Sequence, residues 1–174
     1  VSYFPSVDQM TLWQKFRFFF KAIYSLETRK KLHALIKQER PDIAHVLSCD
    51  HQFSFSLFLE LKKQRVPVVF TLSGYGLVCP EGELLDNGVI CDSCKGAKFY
   101  KMFLKRCIYN NRIKTIVRMM SALLFLKWLK VYKKVDIFIS PSRSLIDRYR
   151  EMGFQGKIIY IPNLVKCDHY IPHG

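Results

Sequence analysis

Four cysteines stand around one irregular stretch of this chain: Cys79, Cys91, Cys94 and Cys107. Cys91-Asp92-Ser93-Cys94 forms a Cys-x-x-Cys, with eleven residues between it and Cys79 and twelve between it and Cys107. Thiols gathered on a loop read as metal ligands, a disulfide framework or a redox pair rather than as packing residues. A Cys-x-x-Cys turn brings two sulfurs onto one tetrahedral zinc. The outer spacings are not those of a standard zinc finger, so three readings stay open: a structural metal, disulfides and reduced free thiols. Cys49 and Cys167 have no such neighbour and read as spectators.

What must position these thiols is a chain long enough for one domain with a core: 174 residues, 49% of them hydrophobic. Its 28 Lys and Arg against 14 Asp and Glu give a formal net charge of +14. The excess is concentrated. From Ser93 to Val135 there is no acidic residue, while twelve basic ones run from Lys95 to Lys134. Such a field attracts anionic lipid headgroups, nucleic acid or phosphorylated ligands. No secretory leader pattern is visible, and the longest uncharged apolar run, Met119 to Leu126, is only eight residues. Nothing therefore reads as a bilayer span, which needs about 20 residues. A reducing compartment is expected, favouring metal over disulfides. A chain that opens on Val1 reads as a segment of a longer protein.

The pattern then alternates. Leu12 to Ile23 is aromatic and basic, suiting either an interfacial helix or a helix packed on its own domain. Ser25 to Gln38 has helical spacing with Ser25 as cap, and Pro41 ends it. Strands are expected at Asp42–Leu47, Val66–Leu72, Val135–Ser140 and Lys157–Ile161. Helices are expected at Gln52–Gln64, at Arg112–Lys134 as one long piece, and from Pro141 or Ser142 to Met152, stopped by Gly153. Residues 73–110 read as a long irregular loop, a feature usually functional inside a compact domain.

Strands alternating with helices imply a parallel α/β sheet whose strand C-termini share one edge. That edge would carry Ser48, His51, Ser73 to Tyr75, Ser140 to Arg143, Pro162 and Asn163. Ser140, Ser142 and Arg143 combine a cap with a helix N-terminus, which suits phosphate or hydroxyl groups. His45, mid-strand, reads as a hydrogen-bonded core imidazole. No single carboxylate stands out as a base, since Asp50, Glu81 and Asp86 all qualify.

Several phrases in order carry a resemblance. They are Arg-Pro-Asp-Ile-Ala-His-Val (40–46), Val-Pro-Val-Val-Phe-Thr-Leu (66–72), Leu-Val-Cys-Pro (77–80), Cys-Asp-Ser-Cys (91–94), Phe-Ile-Ser-Pro-Ser-Arg (138–143) and Ile-Pro-Asn (161–163). Together they resemble the N-terminal, acceptor-side domain of family 4 glycosyltransferases with the GT-B fold, and a subgroup of these is similar in having four cysteines in this loop. The resemblance implies an α/β, Rossmann-like parallel sheet flanked by helices. It implies an incomplete acceptor domain over residues 1–165, the start of an interdomain linker at 166–174, and a donor domain, which binds the nucleotide sugar, lying outside this chain. A segment of this kind is expected to be inactive alone.

The implied activity is that of a hexosyltransferase-like enzyme. It would move sugar from a nucleotide-sugar donor to a glycan or lipid-linked acceptor of the cell envelope, as in polysaccharide biosynthesis. Expected acceptor contacts are Ser73, Gly74, Tyr75, Ser140, Ser142 and Arg143, with Asn163 at the interdomain cleft. The cysteines would hold one structural zinc, and no catalytic metal is implied. The basic stretch would keep the enzyme cytoplasmic, peripheral to the inner face of an anionic membrane. Three positions depart from the family pattern: Ser73-Gly74 replaces a His-containing pair, Leu47 a second His, and Leu164 the Gly of Pro-Asn-Gly-Val. Ser and Gly cannot supply the imidazole of such a pair. Two other classes fit part of the sequence: a zinc-containing nucleic-acid-binding module and a non-catalytic glycosyltransferase-like scaffold. Nucleic acid is the less expected partner, because the apolar face of 112–134 reads as core.

Overall fold

The computed structural model describes residues 26–47, 55–86, 88–105, 107 and 112–164. The Leu12–Ile23 segment, the Ser25 cap, Ser48, Cys49, Asp50, His51, Cys167 and the linker at 166–174 lie outside the described residues. Helix α1 (Leu26–Glu39) buries Ile36 and carries a Glu27–Lys31 pair at 3.0 Å one turn apart. It leads through Arg40 and Pro41 into β1 (Ala44–Val46). Helix α2 (Ser56–Lys63) returns the chain to β2 (Val68–Thr71).

Beyond β2 come a hairpin of β3 (Leu85–Asp86) and β4 (Val89–Ile90), a short α3 (Lys101–Lys105) and α4 (Arg112–Ala122). Strand β5 (Ile137–Ser140), helix α5 (Arg143–Glu151) and strand β6 (Ile158–Tyr160) complete the order. Four strands form one parallel sheet in the order β1-β2-β5-β6, with Val69 beside both His45 and Ile137. Every crossover steps in the same direction, so right-handed connections lay their helices on one face. Burial agrees: Val68, Phe70 and Leu72 are buried, while Val69 and Thr71 between them are partly exposed.

The core is an aromatic chain across that covered face. Phe58 meets Phe70 at 5.7 Å, Phe70 meets Phe138 at 5.9 Å, and Phe138 meets Phe154 edge-on at 5.1 Å. Phe154 then meets Tyr149 at 5.1 Å, and Tyr149 stacks on Tyr75 at 6.3 Å. Such ring pairs add stabilisation beyond the area they bury. Through them the core is tied to the loop beyond β2.

Three expectations are corrected. The 73–110 stretch is not wholly irregular, since it holds the β3–β4 hairpin and α3. The single long helix at 112–134 is three pieces: α4, a π-helical turn at Leu123–Trp128 and a 3-10 turn at Val131–Lys134. The Leu129 amide donates five residues back to Leu124 at 2.8 Å, and Lys130 takes a left-handed φ of 45°, which no helix can continue through. The break lets Phe125, Leu126 and Val131 all reach the core. Finally, His45 is exposed rather than buried, although it does hydrogen-bond: its Nε2 lies 2.8 Å from Thr71 Oγ1. Among the described residues its strand lies at the edge of the sheet, and it alternates with Ala44 and Val46, which pack on the core.

Candidate functional site

The chain leaves β2 through buried Leu72 and turns at Ser73-Gly74-Tyr75. Two contacts fix that turn. The Tyr75 amide donates to the Gly82 carbonyl at 3.0 Å, and the Tyr149 hydroxyl donates to the Gly74 carbonyl at 2.8 Å. A Cβ at Gly74 would lie 3.7 Å from the Gly82 oxygen, an ordinary contact, so this position does not require glycine for space. Tyr149 is almost wholly buried, and burial pushes its phenol well above the usual tyrosine range, so it stays a neutral donor. The Tyr75 carbonyl in turn accepts from the Val78 and Cys79 amides at 2.9 and 2.8 Å, winding the chain toward the first thiol.

A cavity of about 240 Å³ opens at this turn. Its walls include Ser73, Gly74 and Tyr75, the apolar rings of Phe55 and Phe70, and Ser121 from α4. Among the described residues two charged side chains line it, Glu81 and Arg118. It is a pocket of mixed polar and apolar lining, with hydroxyls, a carboxylate and a guanidinium, the mixture that orients a small polar ligand. Of the three carboxylates weighed from sequence, Glu81 is the one in this cavity. Asp86 pairs instead with Lys105 at 2.6 Å, and Asp50 lies outside the described residues.

The other expected contacts are elsewhere. Ser140 is fully buried, donating to the Ser142 carbonyl at 2.8 Å and accepting the Ser142 amide at 3.3 Å. Ser142 caps α5 as expected, its hydroxyl accepting the Leu145 amide at 3.5 Å. Arg143 is exposed and lies over the Tyr160 ring at 5.1 Å. Asn163 is exposed beyond β6. None of these four lines the cavity. Serines at a strand end look alike in sequence whether they bind a ligand or bind the local backbone.

Sequence reasoning missed Arg118, Ser121 and Tyr149. Each had a trace. Arg118 and Ser121 sit three apart on one helical face, and Leu145, Tyr149 and Met152 follow helical spacing toward the core.

The cysteines do gather. Cys79 and Cys94 are buried, Cys91 and Cys107 half-buried, and all four are free thiols. Burial first, then neighbouring Cys79, Cys107 and Cys91, push the Cys94 thiol up to about 12. Burial and then Cys79 and Cys91 also raise Cys107. The knuckle is anchored on α5: the Gly96 amide donates to the Met152 carbonyl at 3.1 Å, and Arg148 pairs with Asp92. Deprotonated cysteine sulfurs are donors that zinc favours. Among the described residues, however, no three His, Cys, Asp or Glu side chains stand as a formed metal-ligand group.

No helix among the described residues is long and apolar enough to cross a membrane. No curated protein and no solved structure matches the chain. The family model described as Glycosyltransferase Family 4 matches residues 12–169, and with the parallel sheet and its carboxyl-edge cavity in place, the chain belongs to that family.

Proposed function

We propose that this domain presents the acceptor in a sugar transfer from a nucleotide sugar, and that the acceptor hydroxyl enters the cavity beyond β2. The observation that carries this reading is the position of that cavity. It lies at the carboxyl edge of a parallel sheet, where open α/β sheets bind ligands. Ser73 and Tyr75 would hold acceptor hydroxyls, Glu81 would accept a hydrogen bond from one, and Arg118 would face negative charge on the acceptor. Their share in catalysis is orientation, since a positioned hydroxyl replaces a bimolecular encounter with a near-attack geometry. A glycan or lipid-linked precursor of the cell envelope is the acceptor class, handled at the inner face of the membrane. Label transfer by the full reading frame tests this, because filling the cavity should stop transfer to the acceptor.

The same proposal gives the cysteine loop a staple. Cys79, Cys91, Cys94 and Cys107 would take one structural zinc, which stabilises thiolates that burial alone disfavours. What supports it is four free thiols on the loop that leaves the cavity's turn, with Cys79, Cys91 and Cys107 near enough to Cys94 to raise its pKa. Metal analysis should find zinc bound one to one, lost in Cys91→Ser/Cys94→Ser together with thermal stability. Purified protein holding no zinc, with a stability indifferent to chelators, would sink the staple.

A further inference from the structure

A second cleft, of about 480 Å³, lies on the other side of the Leu77–Val78 segment. Val78, Phe99, Leu126, Met152 and Phe154 give it an apolar floor, and Trp128 flanks it. Among the described residues no carboxylate lines it, and its charged groups are Lys127 and Lys130, both exposed. Its size falls within the roughly 300–1,000 Å³ of ligand pockets. The backbone beside it is unusual twice over: the π-helical turn ends at Trp128, and Lys130 is left-handed. Such π-turns often mark functional places.

We infer that this cleft seats one hydrocarbon chain of an anionic membrane lipid, with Lys127 and Lys130 holding its phosphate. Charge complementarity supplies the argument for that occupant. Cys94 to Phe99 and Leu126 to Tyr132, which make two of its walls, belong to the Ser93–Val135 stretch that has twelve basic residues and no acidic one, while Leu77, Val78 and Met152 to Gln155 close the rest. Apolar exposure supplies the other half. Trp128 is 66% exposed at the mouth, and the chain running on from Phe99 exposes Leu104 at 74%. Tryptophan and lysine side by side on an exposed turn are the composition of a headgroup-level anchor. Duplex nucleic acid would use the lysines but has no use for the apolar floor. The inference deepens the acceptor reading by giving the membrane association a seat, but it is measured without sugar transfer.

The test uses the full reading frame carrying Trp13→Phe, so that Trp128 is the reporter within this chain. Vesicles of phosphatidylcholine mixed with phosphatidylglycerol should bind it, and vesicles of phosphatidylcholine alone should not. Bromine atoms on the phosphatidylglycerol chains should quench Trp128. Lys127→Gln/Lys130→Gln should weaken binding roughly 30-fold. A water-soluble short-chain phosphatidic acid should compete, whereas glycerol 3-phosphate should not. Equal binding to neutral vesicles, an unquenched Trp128, or duplex DNA displacing the protein from vesicles would overturn the inference. If sugar transfer persists while vesicle binding fails, the lipid seat falls and the acceptor cavity stands; the reverse outcome separates them the other way.

Discussion

Glu60→Gln should lower the stability of this domain by about 3 kcal/mol. Glu60 is almost fully buried on α2. Arg29 of α1 donates to its Oε2 from Nε at 3.1 Å and from Nη2 at 2.7 Å. His33 Nδ1 lies 2.9 Å and Gln64 Nε2 3.0 Å from its Oε1. Burial alone would raise the carboxyl. Hydrogen bonds from Gln64, His33 and Arg29, with the Arg29 charge, outweigh burial and bring it down to about 2. Removing the charge breaks the Arg29–Glu60 pair, and about a fifth of the Arg29 side chain reaches water, which keeps the loss at the low end of the ~3–5 kcal/mol range for broken buried pairs. For a chain of this size that is a drop of roughly 6–12 °C in Tm.

The pH dependence has a definite sign. The folded-state value lies below the unfolded one of about 4.3, so the stabilisation is complete above that pH. It is lost as the pH falls from about 4.3 toward about 2. Glu60→Gln should remove that part of the acid sensitivity. Calorimetry of both proteins across the acid range checks it, and identical acid profiles would show that Glu60 does not carry the effect.

Gly156→Ala should cost about 2–3 kcal/mol by overpacking. A Cβ there would come within 2.7 Å of Phe154 Cζ and 2.8 Å of Phe138 Cε2. Neither ring can swing away cheaply. Phe138 and Phe154 are buried and meet edge-on at 5.1 Å, and Phe154 is also held by Tyr132 at 5.4 Å and Tyr149 at 5.1 Å. The strain should spread along the aromatic chain to Tyr149, whose hydroxyl holds the Gly74 carbonyl. Gly156→Ala/Phe154→Leu, which opens room beside the new methyl, should recover part of the loss. A denaturant midpoint for Gly156→Ala equal to that of the parent would contradict this packing.

Much of the fold was legible because period-2 and period-3.6 patterns are local. The β2 core residues Val68, Phe70 and Leu72 announce a buried strand, and Ser142 with Gly153 brackets α5 on sequence grounds alone. The break at Lys130 was not legible. Residues 112–134 keep an apolar face throughout, and only tertiary packing decides that Phe125, Leu126 and Val131 must all turn inward. The exposure of His45 was hidden for a similar reason: sequence places it on a strand, while packing decides that Ala44 and Val46, and not His45, face the core.

The site was legible in part. Ser73 to Tyr75 line the cavity because a strand end must deliver them there, and the Cys-x-x-Cys is a local turn. Arg118 and Tyr149 reach the same place from helices more than forty residues downstream of Ser73, a meeting set by crossovers and not by spacing.

The most direct test of the proposal that this cavity takes the acceptor is transfer by Gly76→Phe in the full reading frame. Gly76 lines the cavity, and a Cβ there meets no atom within 4 Å, so bulk can be added without a backbone clash. Label would be followed from a panel of nucleotide sugars into glycan and lipid-linked acceptor fractions. The expected result is an unchanged Tm and a fall in acceptor kcat/KM of roughly tenfold or more, with residual hydrolysis of the nucleotide sugar retained. A folded Gly76→Phe that transfers sugar to the acceptor as well as its parent would place the acceptor somewhere other than this cavity.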